Sequence, residues 1–209
     1  MNILEARQVS YSYTGDRPIL NGIDVGFEAG KMYVILGPSG CGKTTLLSLL
    51  GGMDVPNDGS ILFNGKEVRE IGLERYRREG VSFVFQNYNL IDYMTPEENV
   101  SLTAKQEPLP VLTRLGLTKE EARRNVLKLS GGQQQRVAIA RALASQAPVI
   151  LADEPTGNLD ETTAREITAI LKDAAQKHGR CVVIVSHSNE VAEEADVVIT
   201  LKGGQVVKG

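Results

Sequence analysis

MYVILGPSGCGKTTLLSLL, residues Met32–Leu50, is the stretch on which the reading of the fold turns. Met32–Leu36 is a continuous apolar run, the pattern of a strand buried on both faces. Gly37–Thr45 follows with glycines at 37, 40 and 42, and Thr44–Leu50 then reads as a helix. Strand, glycine-rich turn and helix in that order match the phosphate-loop spacing Gly37-x-x-x-x-Gly42-Lys43-Thr44. The glycines let backbone N–H groups converge on phosphate oxygens, and a helix N-terminus adds partial positive charge. The expected nucleotide loop is therefore Gly37, Pro38, Ser39, Gly40, Cys41, Gly42, Lys43, Thr44 and Thr45. Lys43 is expected to reach the β- and γ-phosphates and Thr44 to ligate Mg2+. A bare glycine turn is the plain alternative, and the full spacing in this context argues against it. Cys41 sits near a lysine and a helix start, where a thiol can become more acidic. Its simpler reading, a small residue tolerated in the loop, is preferred.

Outward from this stretch, residues 1–30 read as strands with a turn at Gly15–Asp16. Ile23, Val25 and Phe27 alternate with Asp24, Gly26 and Glu28, as on a half-exposed strand. Ser60–Phe63, Val81–Phe85, Val149–Ala152 and Cys181–Ser186 are further short strands, with helices at Leu73–Glu79 and Thr162–Lys177. Residues 97–146 contain no convincing strand and read as a helical lobe. Two prolines in Gln106–Leu112 are expected to break any helix there. VVITLKGGQVVKG at the end reads as a hairpin turning at Gly203–Gly204. Apolar strands alternating with helices argue for an α/β domain with a mostly parallel sheet. One domain over 1–209 is expected. Residues 1–96 and 147–209 form the core with an antiparallel part, and 97–146 form an inserted helical subdomain.

Composition narrows the function classes. The 209 residues carry 23 Lys and Arg against 26 Asp and Glu, a net charge of −3. That lacks the basic excess of a general nucleic-acid binder, and no nucleic-acid partner is expected. The two cysteines, Cys41 and Cys181, have no paired spacing that would suggest disulfides or zinc. Reduced thiols fit the cytosol. MNILEARQVSYSY lacks the basic start and apolar run of a signal peptide. No apolar stretch approaches the ~18–20 residues that span a bilayer, so work at a membrane would need a partner to hold the chain there.

Three strand ends carry further chemistry. Val149–Ala152 leads into Asp153-Glu154, where successive residues point different ways and can take different roles. Asp153 is placed to bind Mg2+ and Glu154 to polarise an attacking water as general base. His187 follows the run Val182–Val185, at the strand end where parallel sheets gather ligands. There it is a candidate to contact the γ-phosphate and hold the water, whereas His178, in the polar QKHGR, reads as a surface or helix-end residue. Gln86 ends the run VSFVF and is a candidate for Mg2+ or water.

Together with LSGGQQQR at Leu129–Arg136 and Asn158-Leu159-Asp160, these residues resemble the nucleotide-binding subunit of an ATP-binding cassette (ABC) transporter over nearly the whole chain. The order phosphate loop, Gln86, LSGGQ, Asp153-Glu154, Asp160, His187 is that family's order. The resemblance implies a P-loop NTPase fold with a RecA-like core, an N-terminal antiparallel β-subdomain and an inserted helical subdomain. It implies that Ser130, Gly131, Gly132 and Gln133 contact the γ-phosphate held by the opposite subunit of an ATP-bound homodimer. It implies that Tyr13, with Tyr11 as the competing candidate, stacks on adenine, and that Asp160 links the two sites. Catalysis falls on Glu154, His187, Gln86 and Lys43, with Mg2+ at Thr44, Gln86 and Asp153. LADEPTGNLD and FVFQNYNLIDYMTPEENV look most like the macrolide-export, lipoprotein-release and antimicrobial-peptide-resistance group. The implied partner is a transmembrane permease, and the implied location is the cytoplasmic face of the membrane. A non-transport switch acting on a membrane regulator is the alternative. The stretch from Val100 to Leu129 is shorter than expected for that group, so the helical lobe, which receives the partner, is expected to be reduced. The chain also stops soon after the hairpin, and the C-terminal regulatory domain of several importers is not expected.

Overall fold

A computed structural model describes residues 1–13 and 18–207. The turn expected at Gly15–Asp16 lies outside the described residues. β1 (Asn2–Tyr11) pairs antiparallel with β2 (Leu20–Glu28), and β3 (Met32–Leu36) leads through the phosphate loop into α1 (Lys43–Leu50). Then come β4 (Asp58–Phe63), β5 (Lys66–Glu67), α2 (Val68–Ile71), α3 (Leu73–Glu79) and β6 (Val81–Val84). The helical lobe holds α4 (Pro96–Ser101), α5 (Pro108–Arg114), α6 (Lys119–Arg123) and α7 (Gly131–Ala144). The chain returns to the core as β7 (Val149–Asp153), α8 (Glu161–Gln176), β8 (Cys181–Val185), α9 (Asn189–Glu193), β9 (Val197–Lys202) and β10 (Gln205–Val207).

Two sheets form, and the difference between them follows from residue patterning. The first is antiparallel, in the order β2-β1-β4-β5, and its strands alternate buried and exposed residues. The second has the order β10-β9-β3-β8-β7-β6 and is parallel except at the terminal hairpin β9–β10. Its inner strands β3, β7 and β8 are apolar on both faces because helices cover one face, and α1 with the antiparallel sheet covers the other. Strand side chains alternate between faces. Met32, Val34, Ile150, Ala152, Val182 and Ile184 pack with the helical lobe and α8. Tyr33, Ile35, Val149, Leu151 and Val183 pack with α1 and the antiparallel sheet. One apolar run in sequence thus feeds two cores. Burying a Val, Leu, Ile or Met among them is worth about 1.5–3 kcal/mol.

Short helices need help at their ends, and the lobe supplies it. Thr95 with Glu98, Thr118 with Glu121, and Ser130 with Gln133 each form a capping box at the start of α4, α6 and α7. The proline stretch behaves differently from expectation. The chain leaves helical structure after α4, but α5 then begins at Pro108 and includes Pro110. Prolines at the first positions of a helix lack only N–H groups that would have no intrahelical partner. They start this helix instead of breaking one. The connection between α4 and α7 is brief: two short helices and a single 3-10 turn, Val126–Lys128. Among the described residues no helix is long and apolar enough to cross a membrane.

Candidate functional site

The neighbours β3, β8, β7 and β6 run parallel, so their C-terminal ends open on one edge of the sheet. That edge gathers the phosphate loop after β3, Ser186-His187 after β8, Asp153-Glu154 at the end of β7 and Gln86 after β6. Open α/β sheets bind ligands outside such ends.

In the phosphate loop, Gly42 has φ 102 and precedes α1. A Cβ there would lie 2.9 Å from Leu20 and meet a backbone conformation that side chains avoid. At Gly37 a Cβ would come within 2.3 Å of the Leu201 carbonyl oxygen, so β9 packs against bare backbone. Lys43 is buried, and its Nζ donates to the carbonyls of Gly37 (2.7 Å) and Pro38 (3.1 Å). The ammonium thus already points into the loop and has only neutral acceptors to exchange for phosphate oxygens. Ser39 and Gly40 are exposed, Cys41 is half-buried, and Thr45 is buried at the start of α1.

The two tyrosines separate cleanly. Tyr11 is buried, and its hydroxyl donates to the Asp54 carboxylate, which pushes its pKa up to about 12. Tyr13 is 67% exposed, stands edge-on to Tyr11 at 5.1 Å, and has its hydroxyl 3.3 Å from that of Thr45. Tyr13 is the aromatic free to offer a ring beside the loop.

The two acids do take different environments. The Thr44 hydroxyl donates to Asp153 Oδ1 at 3.2 Å, joining the loop to β7. Burial raises the Asp153 pKa above its ordinary value, and the Thr44 hydrogen bond opposes that. Glu154 has φ 45, a left-handed backbone, and its carboxylate Oε1 lies 2.9 Å from His187 Nδ1. An ionised carboxylate only accepts, so Nδ1 is assigned the proton. Ser186 Oγ stands 3.5 Å from the other carboxylate oxygen. A cleft of about 630 Å³ opens beside this pair, along Thr156, Gly157 and Ser188. Gln86 is exposed, and its backbone carbonyl lies 3.5 Å from Asn158 Nδ2.

Among the described residues there is no cluster of three or more His, Cys, Asp or Glu side chains able to hold a metal unaided. The Thr44 hydroxyl and the Asp153 carboxylate form instead a small oxygen set. That suits Mg2+, which usually takes one or two protein oxygens together with phosphates and water.

Ser130–Gln133 stand apart from this edge. Ser130 caps α7, and the Gln133 side chain is engaged at both ends, accepting from the Ser130 N–H (3.0 Å) and donating to Glu121 (2.7 Å). The helix start lies against Tyr88 and Thr163 of the same chain. Among the described residues no hydrogen bond joins it to the phosphate loop or the acids. Asp160 caps α8, accepting from the N–H (3.0 Å) and hydroxyl (2.7 Å) of Thr163, which hold its carboxyl below the usual range. His178 is exposed beyond α8.

Sequence reasoning passed over two side chains of α7. Arg141 donates to the carbonyls of Tyr88 (3.0 Å) and Asn89 (2.6 Å), both in left-handed conformation just after Gln86. Gln135, wholly buried, donates to the carbonyl of Pro155 (2.7 Å). Its signal was a lone amide at helical spacing from Ile139 and Ala142 on an otherwise apolar face.

Comparison with known proteins identifies the family. The profile described as "ABC transporter" matches residues 20–157. An uncharacterized ABC transporter ATP-binding protein, YclH of Bacillus subtilis, is 45% identical, covering 98% of this chain and 95% of YclH. The macrolide export ATP-binding/permease protein MacB 2 of Aeromonas hydrophila is 42% identical over 90% of this chain, which spans only 31% of that longer protein. Among solved structures, the dimeric bacterial ABC transporter cassette MJ0796 has a TM-score of 0.89 at 36% identity, covering 98% of this chain and 97% of its own. A dimeric post-hydrolysis state of the same cassette, bound to ADP and Pi, scores 0.87 at 33% identity, with the same coverage. The chain belongs to the ABC transporter family, as one of its ATP-binding, ATP-hydrolysing cassettes.

Proposed function

We propose that the chain is the ATPase motor of an export or membrane-extraction system, acting as a homodimer on a separate transmembrane permease at the inner face of the membrane. Residues 1–96 and 147–209 are the catalytic core and 97–146 the lobe that meets the permease. The observation that carries the catalytic part is the convergence of Thr44 on Asp153 and of His187 on Glu154 at one sheet edge. The permease and the direction of transport rest on relatives such as MacB 2, whose name joins ATP-binding and permease parts with export.

ATP enters with its phosphates in the loop amides of Gly37–Thr45, and Lys43 exchanges its carbonyl partners for phosphate oxygens. Tyr13 stacks on the base. Thr44, Asp153 and Gln86 hold Mg2+, which supplies neutralisation of phosphate charge when bound. Ser130, Gly131, Gly132 and Gln133 of the second subunit close over the γ-phosphate, with the N-terminus of α7 favouring the anion. Asp160 joins the two sites. Glu154 accepts a proton from the attacking water, and His187 orients Glu154 and the γ-phosphate. Loss of such a base typically costs about 10²–10⁴ in rate. ATP drives closure because the closed dimer binds it better than the open one, and hydrolysis releases that closure to the permease.

Sedimentation of Glu154→Gln with and without Mg-ATP, beside wild type, tests the reading. A dimer that forms only with ATP and persists in the variant is expected. A variant that hydrolyses ATP at the wild-type rate would remove Glu154 as the base.

A further inference from the structure

Gln135 is completely buried on α7, and its Nε2 donates to the Pro155 carbonyl at 2.7 Å. A carbonyl only accepts, so the amide nitrogen must face Pro155. The amide's own oxygen has no hydrogen-bond partner among the described residues. As packing alone, a methionine of similar volume would suit this site better, because a half-paired amide in a core is unfavourable. What the amide adds is its single bond to the residue after Glu154.

Glu154 explains the need for that bond. Its φ of 45 is costly for a residue with a side chain and persists only where the surroundings impose it. Two backbone bonds do so from nearby: Glu154 N–H to the Val185 carbonyl (2.9 Å) and Gly157 N–H to the Glu154 carbonyl (3.1 Å). The third tether comes from the helical lobe, through Gln135. We propose that Gln135 is a positioning residue for hydrolysis. By gripping the Pro155 carbonyl it keeps Glu154 in its left-handed turn and aims the carboxylate. It also links that aim to α7, the helix that starts at the Ser130 cap. A displacement of α7 therefore reaches Glu154 through one hydrogen bond. This rests on Glu154 being the base.

The test is Gln135→Met, alone and combined with Glu154→Gln, followed by steady-state phosphate release, nucleotide-analogue binding and thermal melting. The single variant is expected to lose on the order of 10- to 100-fold in kcat, as for a misplaced catalytic group. Its nucleotide Kd is expected to stay at the wild-type value, and its melting temperature to fall only slightly, because the Pro155 carbonyl loses its donor while the unpaired amide oxygen is removed with it. In the Glu154→Gln background the same change is expected to cost nothing further, because the group it aims is already gone. Wild-type kcat in Gln135→Met, or the full loss repeated on top of Glu154→Gln, overturns the proposal. Should Gln135→Met fail to fold, Gln135→Glu serves. Burial favours the protonated carboxyl, which donates the same bond, so its rate relative to wild type should be highest at acid pH and fall as pH rises. A ratio that is low at every pH overturns the proposal. If Glu154→Gln itself keeps the wild-type rate, the reading of the base has failed. If only Gln135→Met does, the base stands and the positioning role falls.

Discussion

Replacing His187 by alanine tests how Glu154 is held. The imidazole meets the carboxylate through one bond of 2.9 Å and leaves 71% of its side chain exposed, while Glu154 is 15% exposed. The substitution therefore removes a hydrogen bond to a charged acceptor and almost no buried surface. Such a bond is worth about 1.5–3 kcal/mol. If all of it bears on the barrier, each 1.36 kcal/mol is tenfold, and kcat falls roughly 13- to 160-fold. Water competes for the open imidazole, so the lower part of that range, about 13- to 40-fold, is expected. The assay is phosphate release at saturating ATP, with KM and melting temperature measured on the same preparation. Both are expected to stay near wild type. A fall in kcat of less than threefold would refute the reasoning, as would a raised KM with kcat unchanged, which would make His187 a ground-state contact.

Two further outcomes concern stability. Tyr76 is buried, and its hydroxyl donates to the carbonyl of Leu50, the last residue of α1, at 2.7 Å. Tyr76→Phe is expected to cost about 1–2 kcal/mol in urea unfolding at unchanged m-value, because it leaves a buried carbonyl short of a donor; a cost indistinguishable from zero would mean another donor takes over. Acid sensitivity should trace partly to helix caps. Backbone N–H groups of Thr95, Thr118 and Thr163 hold the carboxyls of Glu98, Glu121 and Asp160, respectively, below their ordinary values. Their stabilisation is complete above the unfolded pKa values of about 4 and is lost as pH falls through the lower folded values. Glu98→Gln, Glu121→Gln and Asp160→Asn together should flatten the loss of stability between about pH 5 and pH 3, and an unchanged slope would count against the assignment.

Much of the core was visible in the amino-acid order. Strands buried on both faces leave uninterrupted apolar runs, so β3, β7 and β8 announced themselves, and each was followed directly by polar residues of the site. The caps at Thr95, Thr118 and Ser130 were also present as Ser/Thr-x-x-Glu/Gln and went unread. The prolines near 108 were misjudged because proline's effect depends on where a helix begins, and that start is set by packing in the lobe. Tyr11 and Tyr13 look equivalent in sequence. They separate only once Asp54 and Thr45 are folded beside them.

By itself, the sequence determined the phosphate loop and the identity of the polar groups at strand ends, because backbone conformation over eight residues and the reach of one side chain are local matters. Which groups meet was decided by the tertiary structure alone. Glu154 and His187 are 33 residues apart, and Gln135 and Pro155 are 20 apart. Their encounters depend on the sheet order β3-β8-β7-β6, which does not follow chain order. That order is set by the summed burial of apolar surface across all the strands and helices, a quantity no single window of the chain contains.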